Sequence, residues 1–84
     1  MLKPMRFRKK PIVIEAMQID MDGANNKAVY DWASPCVAIW DRGIMVATPI
    51  GHMLAKPGDW IIREINGAFY VWKDEIFRAA YEEA

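Results

Sequence analysis

Cysteine and histidine are almost absent, one of each in 84 residues. A single thiol cannot close an internal disulfide, and one His with one Cys cannot build a zinc cluster. No apolar run approaches the roughly 18–20 residues that a membrane-spanning helix needs. Net charge is lacking too, since eleven Lys+Arg offset eleven Asp+Glu. Gly-rich phosphate loops, zinc-ligand spacings and nucleophile elbows do not occur. The acids are scattered, and Asp20 and Asp22 lack the further ligands of a calcium loop. These absences point to a reduced intracellular domain without metal or cofactor. They leave no catalytic constellation, so the expectation is a protein that is not an enzyme.

What is present is apolar. The hydrophobic fraction is 54%, with four Trp, three Tyr and three Phe. That excludes wholesale disorder and fits one small domain. A chain this short buries only about 60–65% of the surface it exposes when unfolded. Each aromatic can bury ~150–250 Å², so ten of them exceed what one small core readily hides. Some are therefore expected to face a partner or a second copy of the chain.

The neutral total conceals a split. Residues 1–10 hold Lys3, Arg6, Arg8, Lys9 and Lys10 and no acid, a charge of +5. The remaining 74 residues hold six basic and eleven acidic side chains, a charge of −5. The chain is read as a basic arm, 1–10, and a single domain, 11–84. Such an arm can seek the phosphates of nucleic acid or anionic lipid, or it can dock on its own acidic body or stand as a solvated end. A secretory signal is not expected. The stretch that follows the charges is broken by Glu15 and has no clear small-residue cleavage site.

Pro11 to Ile19 reads as a first strand, and Asp20-Met21-Asp22-Gly23 as a loop. Asn25 or Asn26 is expected to cap a short helix whose stripe is Ala28, Val29, Trp32 and Ala33. Ser34-Pro35 stops it. Cys36–Trp40 and Ile44–Thr48 form a hairpin around Asp41-Arg42-Gly43, and His52–Lys56 is a short fourth strand. After the Pro57-Gly58-Asp59 turn, Trp60–Ile65 and Ala68–Trp72 flank Asn66-Gly67. A two-residue type I′ turn there would pair Arg63 with Tyr70 and Ile61 with Trp72. Asp74 is expected to cap a last helix with the stripe Ile76, Phe77, Ala80 and Tyr81. The expected class is α+β, in the order β-α-β-β-β-β-β-α. Two short helices pack on a curved antiparallel sheet of five to six strands, with partial closure into a barrel left open.

In that register both faces of the Asn66-Gly67 hairpin are mostly apolar. A helix and other strands, a second copy, or a ligand could cover them. Arg63, opposite Tyr70 and diagonal to Trp72, marks one face as the candidate binding surface. A guanidinium beside stacked rings can hold a carboxylate or phosphate, and it can equally be a structural cation–π pair at the core edge. The alternative site is nucleic-acid binding by Lys3, Arg6, Arg8, Lys9 and Lys10. His52 and Cys36 lack a nucleophile context, and Cys36 reads as a small core hydrophobe.

Arg8-Lys9-Lys10-Pro11-Ile12-Val13-Ile14-Glu15-Ala16-Met17-Gln18 resembles the opening of a group of small bacteriophage and prophage proteins, which reads RKKPVVIEAVQW. Pro57-Gly58-Asp59-Trp60-Ile61-Ile62-Arg63, then Gly67, Phe69 and Tyr70, then Ile76-Phe77 and Tyr81-Glu82, are similar to the group's PGDWIIRG…GEFYP…IF…TYE ending. The two stretches cover roughly half of the chain. Departures fall at Glu64-Ile65, where the group has Gly-Val, and at Val71-Trp72, where it has Pro-Cys. The resemblance implies a phage or prophage origin and the host cytoplasm as setting. It carries over no catalytic residue. The resulting expectation is a non-enzymatic phage accessory protein, acting without membrane attachment. It would bind a host protein or a small anionic, nucleotide-like ligand through the aromatic sheet face and form a homo-oligomer.

Overall fold

Short runs of β-branched and aromatic residues between tight turns leave little room for long elements, and the elements found are short. The computed structural model describes residues 4–6, 13–40 and 43–82. The order is β1 (Glu15–Gln18), α1 (Asn26–Ala33), β2 (Val37–Trp40), β3 (Gly43–Thr48), β4 (Gly51–Ala55), β5 (Trp60–Arg63), β6 (Phe69–Trp72) and α2 (Asp74–Ala80). Class and order are those expected, an α+β chain with antiparallel strands and two helices. The expected basic arm and the start of the first strand at Pro11 and Ile12 lie largely outside the described residues.

The strands do not join one sheet. They form two antiparallel sheets of three strands, β1-β5-β6 (sheet A) and β2-β3-β4 (sheet B), and neither closes into a barrel. The reason lies at the corner between β4 and β5. Asp59 N–H donates to the carbonyl of Lys56 at 2.9 Å, closing the Pro57-Gly58 turn. The backbone of that corner pairs with Ile19: Ile19 N–H donates to Asp59 at 2.9 Å and Gly58 N–H to Ile19 at 2.8 Å. β5 thereby takes β1 on one side and β6 on the other, and no edge remains for β4.

The core lies between the sheets. Met17, Ile61, Phe69 and Val71 of sheet A face Val37, Ile44, Val46 and Ala55 of sheet B, with Ile19 at the corner and Val29 and Ala33 of α1 closing one side. Ile19, Val29, Ile44, Val46, Ile61 and Ile62 are fully buried, each contributing about 1.5–3 kcal/mol relative to exposure. At Gly43 the end of β4 leaves no room for a side chain. A Cβ there would lie 2.1 Å from the carbonyl oxygen of Ala55.

Both helix caps depart from expectation. Asn25 occupies the cap position of α1 without a capping side-chain bond. Its amide instead ties the loop to β1, accepting from Asp20 N–H at 2.9 Å and donating to the Gln18 carbonyl at 2.7 Å. Lys73 holds the cap position of α2, and Asp74 is its first helical residue. The buried stripes are narrower than read. Ala28 is exposed on α1, and Ile76 and Ala80 are exposed on α2.

Candidate functional site

The geometry of the β5–β6 hairpin decides which candidate residues meet. Its register pairs Arg63 with Phe69, Ile62 with Tyr70, Ile61 with Val71 and Trp60 with Trp72. That is one residue away from the expected register. A type I′ turn needs positive φ at both central positions, yet the only positive φ in this turn is at Gly67, +85°. Gly67 N–H donates to Glu64 at 2.9 Å, and Glu64 N–H donates to Ala68 at 2.8 Å. The loop is therefore three residues, Ile65-Asn66-Gly67, a type I turn closed by a left-handed glycine. Because side chains alternate, a one-residue slip sends every β6 side chain to the opposite face. Arg63 shares a face with Phe69 and Val71. Tyr70 and Trp72 share the other face with Trp60 and Ile62. The expected cluster of Arg63, Tyr70 and Trp72 is not formed.

Arg63 lies on the core-facing side, at the core's edge. Its guanidinium stands 5.1 Å from the ring centre of Trp32 and 5.2 Å from that of Phe69. The two rings meet edge to face, 5.4 Å apart. Arg63 Nη2 donates to the backbone carbonyl of Trp32 at 2.8 Å, and Nη1 pairs with Glu15 at 2.7 Å. This is a structural cation–π clamp that fastens α1 to sheet A.

Tyr70 and Trp72 belong to a layer on the other side of sheet A. The indole of Trp60 lies flat on Phe77 of α2, 4.1 Å between centres and 10° between planes. Phe77 stacks on Tyr81 at 5.2 Å, and Tyr81 meets Trp72 at 5.4 Å. The rings run in one row, Trp60–Phe77–Tyr81–Trp72, each half-buried, with half-buried Tyr70 on the same sheet face. The cation beside this layer is Arg78, whose guanidinium stands 5.9 Å from the Trp60 ring.

One carboxylate oxygen organises the layer. Asp74 Oδ1 accepts from Trp60 Nε1 at 2.8 Å, from Gln18 Nε2 at 3.2 Å and from Arg78 Nε at 2.8 Å. The Trp60 indole N–H is the strongest influence on Asp74 and lowers its pKa. Partial burial opposes it, and the bond and charge of Arg78 and the bond from Gln18 add to the lowering. Burial raises the pKa of Tyr81, helped by the charge of Glu64. Sequence reading placed Asp74 at a helix start but missed this role. The Asp74–Arg78 spacing of four residues was the readable signal for their pair.

The remaining candidates stay apart. Of the basic arm, Arg6 is described and exposed, while Lys3, Arg8, Lys9 and Lys10 lie outside the described residues. Cys36 packs against the core and His52 is exposed on β4. Among the described residues no group of three or more His, Cys, Asp or Glu stands ready to hold a metal. No helix among them is long and apolar enough to cross a membrane. No family model, curated protein or solved structure matches the chain.

Proposed function

We propose that this is a non-catalytic accessory protein of phage or prophage origin that binds a host protein through the aromatic layer of sheet A and α2. The observation that carries the reading is the row Trp60–Phe77–Tyr81–Trp72, half-buried rather than hidden, with Arg78 beside it. Aromatic rings with an adjacent arginine are the side chains that dominate protein–protein recognition. The layer retains two of the three residues singled out from sequence, Tyr70 and Trp72, and replaces Arg63 by Arg78 as the cation. An acidic or carboxylate-bearing contact on the partner suits Arg78, in keeping with the small anionic ligand also considered. The phage origin and the host cytoplasm rest on the resemblance of residues 8–18 and 57–82 to the phage and prophage group.

Self-association belongs to the proposal on a different surface from the one first expected. One face of the β5–β6 hairpin packs on the core, and the other is partly occupied by Phe77 of α2 and by Tyr81. The edge strand β2 is the candidate instead, four uncharged residues with Ile39 56% exposed.

The test is capture from host lysate by the full chain and three variants. Trp72→Ala is expected to lose the captured protein, whereas Arg63→Ala and deletion of residues 1–10 keep it. Capture that disappears on deleting the arm and falls steeply with salt would replace this reading by nucleic-acid binding.

A further inference from the structure

We infer that α2, with the Tyr81 that follows it, is a releasable strap over the aromatic face of sheet A, and that its release, as a local event, bares the rings of Trp60 and Trp72. The inference rests on the binding role proposed for that layer and supplies its regulation.

The two helices are held in different ways. α1 inserts Val29 and Ala33, both at 0% exposure, into the core. α2 has no buried residue. Its Phe77 stacks on Trp60, and Tyr81, the residue that follows the helix, meets Trp72, both rings half-buried. Its polar hold on the sheet converges on one atom, since Trp60 Nε1 and Gln18 Nε2 both donate to Asp74 Oδ1. A seven-residue helix is not stable alone in water, so undocking and unwinding are one step. Elements with few buried apolar contacts open at lower free energy than the rest of a domain.

The sheet face beside α2 differs from an ordinary surface. Ile62 is at 0% exposure although it lies on the face turned away from the core between the sheets. The face also carries Trp60, Tyr70 and Trp72. With α2 docked, Trp60 is occupied by Phe77 and its N–H by Asp74. With α2 released, the same flat ring and the same donor are free for an amphipathic segment with an aromatic residue and a carboxylate. The strap thus limits access to the sheet half of the layer, Trp60 and Trp72, while its docked form presents the half-buried row.

Native-state hydrogen exchange on the full chain tests this without any partner. The helix amides of Phe77 and Tyr81, bonded to Lys73 and Phe77, are expected to exchange together with the indole N–H of Trp60. Their exchange should depend little on denaturant and run well ahead of the amides of the central strand β5. In Asp74→Ala, loss of the shared acceptor should speed all three by roughly ten-fold or more and leave β5 unchanged. Exchange of the Trp60 indole only in step with β5 would overturn the inference. It would mean that the helix end frays while the face stays covered. A positive exchange result with no host protein captured would refute the binding role and leave the strap standing.

Discussion

Arg63 Nη2 donates to the main-chain carbonyl of Trp32 at 2.8 Å while its guanidinium lies against the Trp32 ring, so one side chain grips both the backbone and the indole of the same residue. The two contacts do different work. The bond to the carbonyl satisfies a group near the C-terminal end of α1, where helix carbonyls lack helical partners. The ring contact fills the corner between α1 and β6.

Arg63→Ala is expected to destabilise the fold by about 1–3 kcal/mol, because it leaves that carbonyl unpaired and removes two ring contacts. Arg63→Lys should recover only part, since an ammonium cannot spread over two rings and fork to two acceptors. Glu15→Ala should cost at most about 1 kcal/mol, because the Glu15 side chain is 64% exposed and the pair is screened. Urea denaturation midpoints of the three variants give the ranking. A Glu15 effect as large as that of Arg63 would show that the ion pair, not the grip on Trp32, holds this corner.

Glycine separates close packing from turn geometry. Gly43→Ala puts a methyl 2.1 Å from the Ala55 oxygen, and both partners are strand backbone with little freedom to move. A loss of about 2–3 kcal/mol or more is expected. Gly67→Ala meets no atom within 4 Å, and its penalty is the backbone strain of φ +85° alone, about 1–2 kcal/mol. Gly67→Asn should cost less, since Asn tolerates the left-handed region. Thermal unfolding of the three variants checks the order. A Gly43 variant as stable as the parent would mean that the β3–β4 edge yields freely there.

Much of the architecture was legible because local rules acted alone. Turn residues at Pro57-Gly58 and Asn66-Gly67 marked real turns, and Pro35 marked the end of α1. The register of β5–β6 was not legible, because Asn-Gly suits both a two-residue and a three-residue loop. Only the φ of Asn66 tells them apart, and that one-residue difference puts Phe69 and Val71 on the face of Arg63 and sends Tyr70 and Trp72 to the opposite one. The division into two sheets was hidden for another reason. It depends on β1 pairing with β5, residues as far apart as Glu15 and Arg63, and no local pattern records such a pairing. Of the candidate site, the aromatic members were readable from composition. Asp74 was not, because its role comes from Gln18 and Trp60 arriving from distant strands.

The edge of sheet B yields a prediction about association. Ala47 N–H donates to the carbonyl of Cys36 at 2.8 Å, which turns that carbonyl toward β3, while Cys36 N–H donates to Ala33. By the alternation of antiparallel ladders, Val37 and Ile39 turn their backbone groups outward. An open strand of this kind pairs with a second copy unless a charge or a proline blunts it. Ile39→Lys places a charge at the exposed centre of the edge. Sedimentation is expected to show a concentration-dependent mass for the parent chain and a monomer for the variant. A parent chain that remains monomeric at high micromolar concentration removes self-association from the proposal.

Acid and alkali should loosen the same helix through different groups. The folded pKa of Asp74 lies below its usual 3.8, chiefly because the Trp60 indole N–H bonds the ionised form. The stabilisation is therefore complete above the unfolded value and is lost as the pH falls through the folded one. Tyr81 has the opposite sign: burial raises its pKa above the usual 10.0, so its contribution is complete below that value and is lost as the pH rises through the folded one. Between these limits neither group titrates, and the packing of α2 is expected to be independent of pH. The readout is tryptophan fluorescence, since Trp60 stacks on Phe77 of α2 and Trp72 meets Tyr81 just beyond it. In Asp74→Asn the acid-side change below 3.8 should vanish while the alkaline change persists. In Tyr81→Phe the alkaline change above 10.0 should vanish while the acid change persists. An acid transition that survives intact in Asp74→Asn would place the acid-sensitive group elsewhere in the chain and remove Asp74 as the holder of α2.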